Sequence, residues 1–204
     1  MILKYPNKPT EMWIDNLPEL DDGNSFADQK LDGYRTFIIK DSQKRWHNQE
    51  LVCVSRRGKD KGGPVKFDVS DEIMESIKAL DLPDQTMLDA EWLSRRTKDD
   101  GIPECIYVFD ILWFDDQWIG SEDCWDRRQQ LLDIVKPNEH IRIPECVESG
   151  FSEFFEAQRK LPWTDGVIVK EKDSTIKTSV EECKKTALWI KVKWRRGHSG
   201  RDEV

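Results

Sequence analysis

A chain of 204 residues can bury a substantial core without metals or disulfides, and it has room for one large domain or two small ones. With 37% hydrophobic and 35% charged residues and no apolar run near the ~20 residues that span a bilayer, the composition describes a soluble, somewhat polar globular protein and excludes a helix-spanned membrane protein. The net charge of −8 argues mildly against a nucleic-acid partner, because phosphate binding needs local cation density.

Taken in chain order, the apolar pattern predicts a strand over residues 35–40, a hairpin connection through the polar stretch 41–50 and a second strand over 51–56. Apolar residues three and four apart predict a helix near 71–80, followed by strands over 86–92 and 105–114, the latter almost continuously apolar. A second helix over 125–135 ends at Lys136-Pro137, since proline disfavours helix at the residue before it. A strand over 140–147, a helix over 152–160 and strands over 166–171 and 188–194 complete the series. Strands outnumber helices and do not alternate strictly with them, so an α+β domain with largely antiparallel sheets is expected rather than a doubly wound fold. No repeat or linker divides the chain, and a single domain over 1–204 is expected.

The five cysteines form no Cys-x-x-Cys pair, and their odd count fits neither a disulfide framework nor a zinc cluster; reduced thiols, mostly in the core, are expected. The stretch Met1 to Pro9 is too poor in apolar residues for a signal peptide, which makes a cytoplasmic setting without a membrane partner the default. Nine tryptophans can serve packing or ligand stacking. Basic residues cluster at Arg56-Arg57-Gly58-Lys59-Asp60-Lys61, Arg95-Arg96-Thr97-Lys98, Lys184-Lys185 and 191–196. A polynucleotide partner requires these to converge on one surface.

The chemistry centres on Lys30-Leu31-Asp32-Gly33-Tyr34-Arg35. Alone, this is a turn with a solvated lysine beside it. Its weight comes from the segments that succeed it along the chain: Ser55-Arg56-Arg57-Gly58, Leu88-Asp89-Ala90-Glu91, Tyr107-Val108-Phe109-Asp110, Asp165-Gly166-Val167-Ile168-Val169-Lys170 and Trp189-Ile190-Lys191-Val192-Lys193. This series resembles the collinear motifs of the covalent nucleotidyltransferase superfamily, which comprises ATP-dependent DNA ligases, RNA ligases and mRNA capping guanylyltransferases. It spans about residues 28 to 194.

The residue types suit that chemistry. A lysine that attacks a phosphate must lose its proton against an ordinary pKa of about 10.4, which nearby cations and desolvation lower. Strand alternation puts Lys191 and Lys193 on one face, ~7 Å apart, able to grip one phosphate group. Asp89 and Glu91 share a face of their strand while Leu88 and Ala90 face inward.

The resemblance implies a nucleotidyltransferase (ATP-grasp-like) fold with mostly antiparallel sheets flanked by helices and a nucleotide cleft between the sheets. It makes Lys30 the carrier of AMP from ATP, Glu91 the ribose acceptor and Phe109 the ring that stacks on the purine, although in its apolar run Phe109 also reads as core. Asp28 would accept from the exocyclic amine of adenine; Arg35 and Arg56 would contact nucleotide, and Arg56 with Arg57 the incoming 5′-phosphate. Lys170, Lys191 and Lys193 would bind nucleotide phosphates. On an ideal strand, however, Lys170 points away from Asp165. Asp165, where the family usually has glutamate, and Glu91 would hold Mg2+. The buried carboxylate expected at Asp110 must be paired or hydrogen-bonded.

The implied partner is a nicked duplex polynucleotide, with DNA favoured over RNA by residues 109–114 and 126–132, and a monomer is expected. The chain stops eleven residues after Lys193. No oligonucleotide-binding (OB) domain and no separate DNA-binding domain are therefore expected. An RNA ligase using the same lysine, a GTP-dependent capping enzyme, or a nucleic-acid-binding module that has lost catalysis stay open at this point.

Overall fold

The computed structural model describes residues 1–2, 4–56, 64–94, 104–177 and 182–194. The strands are β1 (Lys8–Met12), β2 (Ser25–Leu31), β3 (Tyr34–Lys40), β4 (Leu51–Ser55), β5 (Thr86–Leu93), β6 (Cys105–Phe114), β7 (Gln117–Trp118), β8 (Ile141–Arg142), β9 (Cys146–Val147), β10 (Thr164–Glu171) and β11 (Lys185–Lys193). The helices are α1 (Asp71–Lys78), α2 (Cys124–Ile134) and α3 (Phe151–Gln158), with a 3-10 turn at Ile14–Leu20. Ser70 starts α1 as an N-cap should, its hydroxyl accepting from the Ile73 N–H.

The strands form two sheets. The first has the order β1-β11-β10-β2-β9; the second has β4-β3-β5-β6-β7, with β8 beside β6. All pairings are antiparallel except β1 with β11 and β6 with β8. The expected α+β class with mostly antiparallel sheets is the observed one.

Each sheet turns one face to helices. Ile38, Cys53, Leu88, Ala90, Ile106, Val108 and Ile111 of the second sheet pack on Ile73 and Ile77 of α1 and Leu131 of α2. Ala27, Val167, Val169, Ile190 and Val192 of the first pack on Phe151, Phe154 and Phe155 of α3. The opposite faces are the inner ones. There Phe37, Ile39, Val52, Val54, Met87 and Leu112 pack on Tyr5 and Ile176, while Phe26 packs with Trp189 and Cys124. Burial of apolar side chains on both faces explains why these strands read as near-continuous hydrophobic runs.

Two expectations needed correction. Residues 140–147 are not one strand: β8 joins the second sheet and β9 the first, with Pro144 between them. Proline has no N–H for a ladder and marks the place where the chain changes sheets. The strand carrying Lys30, β2, was absent from the pattern because Ser25, Asp28, Gln29 and Lys30 interrupt it; Asp28 and Gln29 are nevertheless buried, satisfied by partners from other elements.

Candidate active site in the cleft between the sheets

Only Asp32 and Gly33 separate β2 of the first sheet from β3 of the second. The Lys-x-Asp-Gly segment is therefore the passage between the sheets, with Lys30 just before it and Arg35 just after. Glycine is required there, because a Cβ on Gly33 would lie 2.5 Å from the Trp92 carbonyl oxygen.

Alternation along β2 sends Ala27 into the α3 core and Gln29 to Gln158 of α3, which leaves Phe26, Asp28 and Lys30 on the inner face. Lys30 Nζ lies 2.6 Å from Asp165 Oδ1, and Lys193 Nζ lies 3.2 Å from Asp165 Oδ2. Asp165 reaches this position through a bulge. Thr164 pairs with Leu31 but Gly166 pairs with Lys30, leaving Asp165 as the extra residue. Gly166 permits the close approach, since its φ is +156° and a Cβ would meet the Val192 carbonyl oxygen at 1.9 Å.

The bulge also overturns the expected direction of Lys170. It shifts the alternation by one, so Lys170, opposite Phe26 and Trp189, joins the inner face with Lys191 and Lys193. The face shared by Lys191 and Lys193 is as predicted, with different partners: Lys191 Nζ is 2.9 Å from Glu11 Oε2. That bond holds the Glu11 carboxyl below its usual range.

The second sheet forms the other wall. Arg35 Nε donates to Asp89 Oδ1 at 2.9 Å, its Nη2 to Oδ2, and its Nη1 to the Asn7 carbonyl at 2.9 Å. Glu91, on the same face, accepts from the Gly33 N–H at 3.1 Å. Burial pushes its carboxyl up to about 7 against the opposing pull of Lys30, Arg56 and Arg35. Phe109 is half-buried rather than part of the β6 core. The β5–β6 register shifts between Asp89 and Ala90, and the Phe109 ring projects between the Arg35 guanidinium, 5.5 Å away, and Lys170 Nζ, 5.4 Å away.

Asp28 is 2% exposed, with Oδ1 receiving Arg128 Nη1 at 2.7 Å and Oδ2 receiving Lys170 Nζ at 2.8 Å. Burial alone would lower the pKa of Lys170, but Asp28, Cys124 and Asp110 outweigh it and the pKa is raised. Asp110 has the expected partner: Arg127 donates to its two oxygens at 2.9 and 3.0 Å. Arg127 and Arg128 were absent from the sequence-derived site. The one available signal was Asp110 itself, a carboxylate in an apolar strand that demanded a cation.

Arg56 is exposed at the end of β4, and Arg57 lies outside the described residues, as do 58–63, 95–98 and 195–196 of the basic clusters. Among the described residues no three His, Cys, Asp or Glu side chains group as a metal site, and no helix is long and apolar enough to cross a membrane. All five cysteines are free; Cys53, Cys105 and Cys124 are buried, with thiols pushed up to about 12, 11 and 11 by burial. A cavity of about 620 Å³ lies elsewhere, between Lys40, Leu51, Phe67, Met74 and Ile77, and takes no part in this constellation.

Residues 94–193 match the family described as ATP dependent DNA ligase domain. The chain is 27% identical over 191 residues to DNA ligase 2 of Korarchaeum cryptofilum and 28% identical over 188 residues to a DNA ligase of Sulfolobus acidocaldarius. These alignments take in 82% and 84% of the chain but 30% and 31% of the relatives, so it spans a little under a third of their length. Among solved structures, mycobacterial DNA ligase D complexed with ATP and MES superposes with a TM-score of 0.68 at 20% identity, covering 95% of this chain and 61% of that one. The ligase domain of LigD from M. tuberculosis gives 0.64 at 22% identity, covering 93% and 59%. At these identities the structural likeness is one of fold. Over residues 94–193 the chain is thus similar to the ATP-dependent DNA ligase domain, and it shares its fold with the ligase domain of LigD.

Proposed function

We propose that this chain is an adenylation domain that takes AMP from ATP onto Lys30 and uses it to join 5′-phosphate and 3′-hydroxyl ends in nicked duplex DNA. The observation that carries the reading is the placement of Lys30 on the inner face of β2, where it shares Asp165 with Lys193 of its own sheet and faces the charge of Glu91 of the other. A primary amine there has carboxylates to take its proton and cations to offset charge on a phosphate.

The reading entails three displacements at phosphorus. Lys30 Nζ forms a bond to the α-phosphorus of ATP as the bond to pyrophosphate breaks. The 5′-phosphate then takes AMP from Lys30, and the 3′-hydroxyl displaces AMP to close the strand. Each depends mainly on positioning and on cations, which Lys191 and Lys193 supply. Glu91 accepts from ribose hydroxyls when ionised, and Phe109 offers a ring face for the purine. Each Asp28 oxygen keeps a lone pair beyond its bond to Arg128 or Lys170, sufficient for one further amine donor. Each nitrogen of Arg35 already donates to Asp89 or Asn7, which braces the wall beside Phe109.

Asp165 and Glu91 suit a Mg2+ ion, which binds through one or two carboxylates together with substrate phosphates and retained waters. When bound, the ion supplies charge neutralisation at the phosphate.

The test is incubation with ATP or GTP labelled on the α-phosphate, followed by denaturing electrophoresis. Stable label is expected from ATP, none from GTP, and none in Lys30→Ala with an unchanged circular dichroism spectrum. Label on Lys30→Ala at the normal rate would remove Lys30 from the role. Nicked duplexes with DNA or RNA on each side of the break then separate DNA from RNA joining, with DNA expected to be sealed.

A further inference from the structure

Strand β1 brings to the inner face a carboxylate that belongs to none of the motif segments, that of Glu11. Met12 packs with the α3 core, so alternation turns its neighbour Glu11 to the opposite face. The pairing of β1 with β11 shifts between Pro9 and Thr10: Pro9 lies opposite Thr186, but Thr10 lies opposite Ile190. That shift sets Glu11 opposite Lys191 and brings its Oε2 to 2.9 Å from Lys191 Nζ.

Two carboxylates thus occupy three ammonium groups at this end of the first sheet, Asp165 on Lys30 and Lys193, and Glu11 on Lys191. The two differ in freedom. The Asp165 side chain is 14% exposed, at a bulge inside the sheet, whereas that of Glu11 is 58% exposed on the edge strand. An ion pair so open to water is weak and breaks at little cost. A carboxylate oxygen on a lysine ammonium also makes the same charge-assisted hydrogen bond that a phosphate oxygen would make.

We propose that Glu11 is a displaceable stand-in for phosphate: it fills the anion position on Lys191 in the empty site, yields to the phosphates of the nucleotide, and returns to help expel pyrophosphate. This rests on the nucleotidyl-transfer reading, in which Lys191 takes phosphate. ATP is anchored by base and ribose as well as by its phosphates, so it outcompetes one weakly held carboxylate. Pyrophosphate, once cut from AMP, has lost those anchors and meets the competitor alone.

The test compares wild type, Glu11→Gln, Lys191→Met and the double variant in the full chain, by calorimetric titration with inorganic pyrophosphate. Glu11→Gln is expected to bind about fivefold tighter than wild type, the upper scale of a partly exposed ion pair. In the Lys191→Met background the same substitution should gain less than about twofold, because the contact it releases is already gone. Half-maximal labelling from ATP should also need less ATP in Glu11→Gln than in wild type. Pyrophosphate affinity in Glu11→Gln equal to or weaker than wild type overturns the proposal, the weaker result making Glu11 a residue that positions Lys191. An equal gain in both backgrounds overturns it as well, since net charge alone would then account for the effect. Absence of pyrophosphate binding in wild type and Glu11→Gln alike does the same. Wild type and variants that show the expected pyrophosphate pattern but take no label from ATP would instead sink the proposed ligase function and leave the role of Glu11 standing.

Discussion

Glu91 illustrates what burying one carboxyl in the cleft does to stability. Its carboxyl rises from 4.5 to about 7 because the fold buries it. Below about pH 4.5 both folded and unfolded states hold the proton. Between 4.5 and 7 the folded state keeps a proton the unfolded chain has released, so stability falls as pH rises, and above 7 the loss is complete. Glu91→Gln removes this penalty while keeping an oxygen for the Gly33 N–H. Urea denaturation is expected to show the variant more stable than wild type by ~1–3 kcal/mol at pH 8, with the gap closing toward pH 4. Labelling from ATP should fall in the same variant, because a neutral amide accepts more weakly from ribose hydroxyls.

At the scale of the element, the bulge in β10 sets the chemistry of that strand. An ideal strand would place Asp165 and Lys170 on opposite faces, whereas one inserted residue brings both to the inner face and lets a short aspartate side chain reach Lys30 at 2.6 Å. Gly166 makes the bulge possible. Gly166→Ala would drive a methyl into the Val192 carbonyl, 1.9 Å away, and force β10 from β11. A cost of about 3 kcal/mol or more is expected, visible as a melting temperature lower by roughly 6–12 °C. A melting temperature within a degree of wild type would show that the strand absorbs the methyl and that the bulge is not held by this contact.

For the molecule as a whole, two neighbouring arginines of α2 link the layers. Arg127 binds Asp110 of the second sheet, and Arg128 binds Asp28 of the first, because successive helical positions point ~100° apart. Arg128→Met leaves Asp28 with Lys170 alone in a buried setting. The expected loss is about 3–5 kcal/mol in denaturant unfolding. The exposed pair Arg159–Glu156 is the contrast: Arg159→Ala should change stability by less than about 1 kcal/mol. Comparable losses from the two substitutions would mean that the Asp28 network does not hold the sheets together.

The local elements were legible in the sequence because they rest on short-range rules. Periodicity marked α1, α2 and α3 to within about two residues, and apolar runs marked β3 to β6. The order of short motifs was enough to point to Lys30, Glu91, Phe109, Lys191 and Lys193 before any contact was known. Pairing across long separations was beyond it. Which carboxylate meets Lys30, why Lys170 turns inward, and that Arg128 lies 100 residues from the Asp28 it neutralises all depend on sheet register and a single bulge. Side-chain alternation carries information only while the register is unbroken, so an inserted residue reverses every face after it. Residue order was thus sufficient for the three helices and for β3 to β6. Which charges face one another was settled by the assembled sheets, because burial and pairing arise only there.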